Sequence, residues 1–337
     1  MSLRERIAAV LSGEVGGSCI GRDEVVSFFP TCGFRNERGQ WVVPIHGWLY
    51  EPGEQSRLRR AAIRLIERTL DLRAEGKDFH ALRIKTTVRH RLGLLLADNE
   101  RFERVKITLC DGVHIMGRSH ANGHFEGEVI VADERPAGMV DFAAVVRSGD
   151  RRTFSGCCHL LEDHGTSVIS DIDDTIKITG VGDRSAMLKN TFIETFADVP
   201  GMAQLYGRLA QAHGAAFHYV SASPWSLYPL LSAFAVKADF PLGSWHLRNL
   251  RLWGRDLRHL FTKSAAVKKP AIEKILQTYP RRKFVLVGDA GEHDAAIYTE
   301  MARKYAPQVL RILIRRNRDV PAIKGVEYFD SPDQIVV

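Results

Sequence analysis

Ser167-Val168-Ile169-Ser170-Asp171-Ile172-Asp173-Asp174-Thr175 is the stretch whose reading decides the fold. A short apolar run with β-branched residues, too short for a helix, ends in two carboxylates one residue apart and then a threonine. Apolar segments bounded in this way read as buried parallel strands. In open α/β sheets, ligand chemistry collects just beyond the carboxyl ends of such strands. Asp171 and Asp173 therefore place concentrated negative charge where a ligand would sit. Like charges so close are unfavourable unless a cation or a proton is shared between them. A solvated acidic turn is the competing reading, and the segments downstream decide between the two.

Toward the C-terminus the pattern alternates. Pro200 to about His213 is expected to be helical, and Ala216-Phe217-His218-Tyr219-Val220 a strand ending at Ser221. Leu227 to Val236 reads as a helix. Lys269-Pro270-Ala271-Ile272 opens another, with proline at a helix start, where its missing N–H costs nothing. Phe284-Val285-Leu286-Val287 is a strand followed by Gly288-Asp289-Ala290-Gly291-Glu292-His293-Asp294. Ala295 to Tyr305 is helical, and Val309 to Ile314 is a further strand. Strands alternating with helices specify an α/β fold, a parallel sheet with helices on both faces.

Three strands thus end in chemically useful residues: Asp171/Asp173, Ser221 and Asp289/Asp294. In a parallel sheet those ends share one edge, so groups distant along the chain converge. A lysine from Lys263, Lys268 or Lys269 can join them. The set suits phosphoryl transfer, since Mg2+ takes one or two carboxylates and a substrate phosphate into its shell. A divalent cation offsets the repulsion between an attacking carboxylate and an anionic phosphate, while serine and lysine hold the transferring oxygens. Ser221 capping its turn and Asp294 capping the following helix are the structural alternatives.

Toward the N-terminus the signals are weaker. Trp41 to Tyr50 looks like a strand interrupted by Pro44, hence an edge or a bulge. Gln55 to about Ala74 is an amphipathic helix, with Leu58, Ala62, Leu65, Ile66 and Leu70 on one face and Arg57, Arg60, Arg64 and Arg68 on another. Such a basic stripe is ordinarily a wet face and is also compatible with an anionic membrane surface. From Phe79 to about Val146 short strands and turns are expected, with Asp111-Gly112 and Asn122-Gly123 as turn signals, suggesting a small β-sandwich. Cys157-Cys158-His159 lacks the spaced pairs of a structural zinc site and reads as a strand. Residues 1–163 are thus expected to form a β-rich domain with one basic helix, and residues 164–337 the α/β domain.

Composition bounds the rest. The chain has 337 residues, 45% hydrophobic and 26% charged, within the range of globular proteins. Its net charge of +7 weakly favours acidic partners. Five scattered cysteines argue against a disulfide framework, and the N-terminal residues have no apolar core of secretory length, so a cytoplasmic location is expected. Gly214 to Val236 carries no Asp, Glu, Lys or Arg, but its Ser221-Ala222-Ser223-Pro224 centre breaks a helix, so strand, loop and helix are expected rather than a membrane span.

Residues from about 166 to 335 resemble a haloacid-dehalogenase-superfamily phosphatase. More narrowly they resemble the catalytic domain of the lipin-like, actin-patch-type phosphatidate phosphatases. The resemblance rests on Ser170 to Lys177, on Tyr219-Val220-Ser221-Ala222-Ser223-Pro224-Trp225 and on Phe284 to Asp294, in that order and each after a strand. It implies a Rossmann-like domain with a small cap between Ile176 and Val199. It also implies Asp171 as nucleophile and Asp173 as the acid that protonates the leaving alcohol and then activates water. Asp171, the Asp173 carbonyl and Asp289 would hold Mg2+, with Asp294 in or next to that shell. Ser221 and a lysine, by spacing Lys268 with Lys269 and Lys263 as alternatives, would bind the phosphate. Two positions depart from the family pattern: Ala290, often serine, and Ala295-Ala296, often Pro-Glu.

A small cap implies an open site suited to a large substrate. The expected activity is Mg2+-dependent hydrolysis of a phosphomonoester through an aspartyl-phosphate, with phosphatidate, an anionic lipid, as substrate and peripheral membrane contact. The alternatives are the same chemistry on nucleic-acid ends, small esters or phosphoprotein, and a non-catalytic interaction module. Trp225 and Trp245 could contact acyl chains or bases, but buried packing is the expectation for each.

Overall fold

The computed structural model describes residues 20–52, 79–110, 112–131, 135–249 and 264–337. The expected basic helix at Gln55 to Ala74 and the candidate Lys263 lie outside the described residues. Two sheets make up the rest. The first has nine strands: β1 Val25–Phe29, β2 Thr31–Arg35, β3 Trp41–Glu51, β4 Asp98–Asn99, β5 Arg104–Leu109, β6 Gly112–Arg118, β7 His124–Val131, β8 Gly138–Ala144 and β9 Ser155–Leu160. The strands run in the order β1-β3-β2-β9-β8-β5-β6, with β4 and β7 on β3, and β2 links the group around β3 to the group around β8. Its strand pairs are antiparallel except β2 with β9. It curls over a core where Trp41, Val43 and Ile45 of β3 meet Val105, Ile107 and Leu109 of β5 and Phe142 of β8.

Strand β3 is central, not an edge. Pro44 is accommodated because β3 pairs with β7 along one side, while its other side passes from β2 to β1. The Pro44 carbonyl accepts a hydrogen bond from the Thr31 hydroxyl at 2.5 Å on that broken side. The N and C=O of one strand residue point the same way, so the missing N–H faces the break and no ladder bond is lost.

A second correction concerns Phe79–Leu95, which is a helix, α1, and not part of a run of short strands. Val88 and Leu92, one turn apart, bury against Phe192 of the α/β half, and Leu95 packs against the same cluster. The β-branched run Ile84, Thr86, Thr87, Val88 favours strand locally, and tertiary burial of one face overrides it.

The second sheet is parallel throughout: β10 Thr166–Ser170, β11 Ala216–Pro224, β12 Gly243–Arg248, β13 Lys283–Asp289, β14 Val309–Arg315 and β15 Glu327–Phe329, in the order β12-β11-β10-β13-β14-β15. The helices are α2 Arg184–Phe192, α3 Met202–His213, α4 Tyr228–Lys237, α5 Ser264–Thr278 and α6 Asp294–Lys304. This is the expected α/β alternation. The sequence reading did not name β12, and Pro270 lies inside α5 instead of opening it. Pro270 and Ala266 are both on the exposed side of α5, so the carbonyl freed by the missing N–H is open to water. The segment from Gly214 to Val236 is strand, 3-10 turn and helix as expected, and no helix among the described residues is long and apolar enough to cross a membrane.

One core runs across both halves. Phe29, Trp48, Tyr50 and Leu94 join Val168, Phe217, Trp225 and Trp245 in a single cluster, so both tryptophans are buried as expected. The Trp225 and Phe29 rings are 4.2 Å apart between centroids, and the β12 edge donates from Trp245 N to the Pro30 carbonyl at 3.2 Å. Arg35 pairs with Glu162 at 3.2 Å and Arg281 with Asp163 at 2.7 Å, fastening the connector between the sheets.

Candidate active site

The central strand β10 carries the site. Its neighbours β11 and β13 lie on either side in parallel register, so all three chains leave the sheet at one edge. Asp171 follows β10 directly, and its N–H donates to the Val287 carbonyl of β13 at 2.9 Å. Asp289 ends β13, and Asp294 begins α6 five residues later. Carboxylate oxygens of Asp171, Asp289 and Asp294 all lie within 4.8 Å of one another, and all three residues are fully buried.

Of the three candidate lysines, Lys268 enters this cluster. Its Nζ is 2.7 Å from Asp171 Oδ1, 2.6 Å from Asp294 Oδ1 and 2.7 Å from Glu292 Oε2. Lys269 turns away to Glu300 at 2.5 Å. Asp294 does not cap its helix: no side chain caps α6, and the Asp294 carboxylate is committed to Lys268 and, more weakly, to the Asp289 N–H at 3.4 Å.

Burial sets the electrostatics. It pushes the Asp171 carboxyl well above the usual carboxylate range; Lys268 pulls the other way, and Asp294, Glu292 and Asp289 add to the rise. Asp289 is pushed up to about 7 by burial and by Asp294. For Lys268 burial disfavours the ammonium, but Asp171, Asp294 and Glu292 outweigh it and hold its proton tightly. Asp289 Oδ2 accepts from Gly291 N at 2.7 Å and Asn317 Nδ2 at 2.5 Å, whereas Asp289 Oδ1 is buried with no hydrogen-bond partner. A buried anionic oxygen without a donor is costly, and this one sits among other carboxylates, where a cation would satisfy it.

Asp173 sits in a different environment. Its Oδ1 receives Thr179 Oγ1 at 2.8 Å and Lys177 Nζ at 2.9 Å, and its Oδ2 receives Ser221 Oγ at 2.9 Å and Ser223 Oγ at 2.8 Å. Burial alone would raise its proton affinity, but Lys177 and the hydroxyls hold the carboxyl below the usual range. In the metal-free site the two carboxylates of the Asp-x-Asp pair are therefore pushed in opposite directions, Asp171 toward the neutral form and Asp173 toward the anion. The loop between them and α2 is pinned by Asp174. At φ 58° it takes the left-handed conformation that aspartate tolerates. Its carboxylate receives the N–H groups of Thr179, Gly180 and Val181 at 2.6–2.8 Å, and its carbonyl receives Arg315 Nη1 at 2.7 Å.

All the described side chains singled out from the sequence, Lys269 apart, thus reach one sheet edge, in two groups: Asp171, Asp289, Asp294 and Lys268 on one side, Asp173 with Ser221 on the other. Sequence reasoning assigned nothing to Thr175, whose hydroxyl donates to Asp171 Oδ2 at 3.1 Å, or to Glu292, Asn317, Lys177, Thr179 and Ser223. Thr175, Lys177, Ser223 and Glu292 stand inside the three motifs. Asn317, 28 residues beyond Asp289, has no local signal.

Fold and site together define an α/β domain with a carboxylate-rich centre at one edge of its parallel sheet. Residues 166–316 match the model of the family described as the phosphatidate phosphatase APP1 catalytic domain. The chain is 41% identical over 155 residues to the phosphatidate phosphatase APP1 of Saccharomyces cerevisiae, and 36% identical over 166 residues to an uncharacterised protein of Schizosaccharomyces pombe. These alignments take in 45% and 46% of this chain but 26% of each relative, so the chain spans about a quarter of the length of the curated relatives it matches. Among solved structures, a 2,6-sialyltransferase of Photobacterium shows 12% identity and a TM-score of 0.22 over 65% of this chain and 37% of its own, too slight a likeness to bear on the fold.

Proposed function

We propose that the chain is a Mg2+-dependent phosphatase that hydrolyses phosphatidate through an aspartyl-phosphate on Asp171, in the manner of the haloacid-dehalogenase superfamily. The observation that carries this reading is the gathering of Asp171, Asp289 and Asp294, with carboxylate oxygens within 4.8 Å of one another and Asp289 Oδ1 buried without a partner. Hard oxygen donors in a buried, anion-rich pocket fit Mg2+. Asp171, Asp289 and the Asp173 carbonyl would hold the ion, with Asp294 beside them. When bound, Mg2+ supplies charge neutralisation for a carboxylate and a phosphate that otherwise repel.

The chain's own residues do the rest. Asp171, whose Oδ2 is oriented by Thr175, attacks phosphorus as the P–O bond to the leaving alcohol breaks. Asp173, a carboxylate in the free site, takes up the proton of the phosphomonoester monoanion as it binds, gives it to the departing alkoxide, then takes one from the water that cleaves the acyl phosphate and loses it with the phosphate product. Ser221 and Lys268 bind and neutralise the phosphoryl oxygens. The Ser221 hydroxyl has a single proton and donates it to Asp173, so substrate must take that donor for itself.

Phosphatidate as substrate is supported by the activity in the yeast relative's name and by the domain match. A cytoplasmic protein in peripheral contact with the membrane follows from that substrate. The test is phosphate release with Mg2+ from phosphatidate vesicles, from phosphorylated DNA ends and from nitrophenyl phosphate. Faster release from vesicles is expected. Faster turnover of the soluble esters, with the protein staying at the bottom in vesicle flotation, overturns the lipid assignment.

A further inference from the structure

Asp173 is the most fully tethered carboxylate of the site, and the tether contains a buried cation that the phosphatase chemistry above does not use. All four donors to Asp173 come from its own loop or from β11: Lys177 and Thr179 on Oδ1, Ser221 and Ser223 on Oδ2. Only Ser221 has a second duty, toward the phosphate. The other three therefore stay with Asp173 when substrate draws Ser221 away.

Lys177 is the strongest of them. Its ammonium is nearly inaccessible, with a side chain 3% exposed, so its attraction to Asp173 is little screened. Its head donates to Thr179 Oγ1 as well as to Asp173, and lies 5.0 Å from the centre of the Phe196 ring. Its backbone is held on two sides: the Lys177 carbonyl accepts from Asp174 N at 2.7 Å, and the residue bridges to Asp198. A lysine side chain normally has large rotational freedom, and here that freedom is spent in the fold before substrate arrives. Ser223 completes the clamp from the opposite strand: its hydroxyl reaches Asp173 Oδ2 while its N–H donates to Ser221 Oγ at 2.9 Å.

We infer that Lys177 and Ser223 are positioning residues for the Asp173 proton transfer, holding that carboxyl in one orientation beside the bond to the leaving group. The inference rests on the role proposed for Asp173. The polar contacts of the Lys177 ammonium and of Ser223 run to Asp173, Thr179 and Ser221 rather than to the Asp171–Asp289–Asp294 cluster, so they act on leaving-group departure and not on the attack at phosphorus. An acid held in place matters when the leaving alkoxide is basic, and matters little for nitrophenolate, which departs without a proton.

The experiment compares kcat/KM for phosphatidate in detergent micelles and for nitrophenyl phosphate, in wild type, Lys177→Met, Ser223→Ala and Asp173→Asn, all with saturating Mg2+. The ratio kcat/KM covers steps up to departure of the leaving group, so slow hydrolysis of the acyl phosphate does not obscure it. For Lys177→Met, a loss of about 30-fold or more on the alkyl ester is expected, against about 3-fold or less on the aryl ester, within the range of general acid contributions. Ser223→Ala, which keeps the buried ion pair and so is less prone to misfold, is expected to show the same imbalance at about 5-fold. Equal losses on both esters in the two variants, with Asp173→Asn still discriminating between them, overturn the positioning role and leave the phosphatase reading standing. If Asp173→Asn itself loses equally on both esters, the role of Asp173 fails, and this inference with it.

Discussion

Lys268 Nζ and Asp294 Oδ1 stand 2.6 Å apart with both side chains sealed from solvent, and the same ammonium reaches Asp171 and Glu292 at 2.7 Å. One cation thus faces three carboxylates directly, with Asp289 beside them. Removing one member of a buried ion pair costs about 3–5 kcal/mol, because the abandoned charges have no solvent to turn to. Lys268→Met is therefore expected to lower the unfolding free energy of the Mg2+-free protein by about that much in denaturant titration. Added Mg2+ should recover part of the loss, since it neutralises the same carboxylates. Stability unchanged by the substitution would show that Lys268 is not the charge that holds this cluster together.

Asp171→Asn separates chemistry from folding. The amide keeps the shape of the side chain but cannot attack phosphorus, so turnover is expected to fall by about four orders of magnitude or more, as for loss of other covalent nucleophiles. Burial and crowded acidic neighbours push the Asp171 carboxyl well up, so loss of its negative charge relieves repulsion in the Mg2+-free protein. Thermal unfolding without Mg2+ should therefore occur at an equal or higher temperature than in wild type. A variant that loses activity and also melts well below wild type would identify Asp171 as structural.

Much of this site is legible in the sequence because its members end strands of one parallel sheet. Asp171, Ser221 and Asp289 each follow an apolar run, and parallel topology brings such ends together without further information. Lys268 is different. Spacing to Ile272 puts Lys268 ahead of Lys269 and Lys263 without closing the choice; the packing of α5 turns Lys268 into the carboxylate cluster, and Pro270 proves to lie within the helix. Asn317 and the Lys177–Ser223 clamp are illegible for another reason, because each matters only through a partner met in three dimensions. The first half is read least well. There the β-branched residues of α1 mimic a strand, and Pro44 mimics an edge that the break between β1 and β2 makes unnecessary.

Four largely buried histidines govern the response to acid. His46 and His124 share a hydrogen bond at 3.0 Å beside Trp225, and His218 and His246 flank Ser244. Burial holds His46 and His218 well below the ordinary histidine value and brings His124 and His246 down to about 4. The unfolded chain therefore binds protons that the folded one refuses. The contribution of these histidines to stability is full above the unfolded value near 6.5 and declines as pH falls from there toward 4, by about 3 kcal/mol for His124 alone. His124→Gln should cost some stability at about pH 7.5 but flatten the decline, so the difference from wild type narrows toward about pH 4.5 in urea unfolding. A difference that stays constant across that interval would show that His124 is not buried in neutral form.

Gly288, next to the metal-binding candidate Asp289, gives the most stringent test of the site's geometry. A Cβ at this position would lie 2.5 Å from Asp294 Oδ2, 2.8 Å from Asp294 Cβ and 2.9 Å from the Tyr298 ring. None of these atoms can retreat, since Asp294 is bound to Lys268 and Tyr298 is fully buried with its hydroxyl on the Val287 carbonyl at 3.2 Å. Gly288→Ala must then displace Asp294 or the end of β13 without removing any charged or ligating group. Small displacements of supporting groups typically cost about 10–100-fold in metal affinity. The Mg2+ concentration for half-maximal activity should rise by that factor, and heat of Mg2+ binding in calorimetry should weaken in parallel. Ala295→Gly, further on in α6 and outside the carboxylate cluster, serves as the control for a general loosening of the fold, and is expected to leave the Mg2+ requirement where it was. If Gly288→Ala binds Mg2+ as wild type does, Asp294 has no part in holding the ion, and its place beside Lys268 is purely one of charge balance.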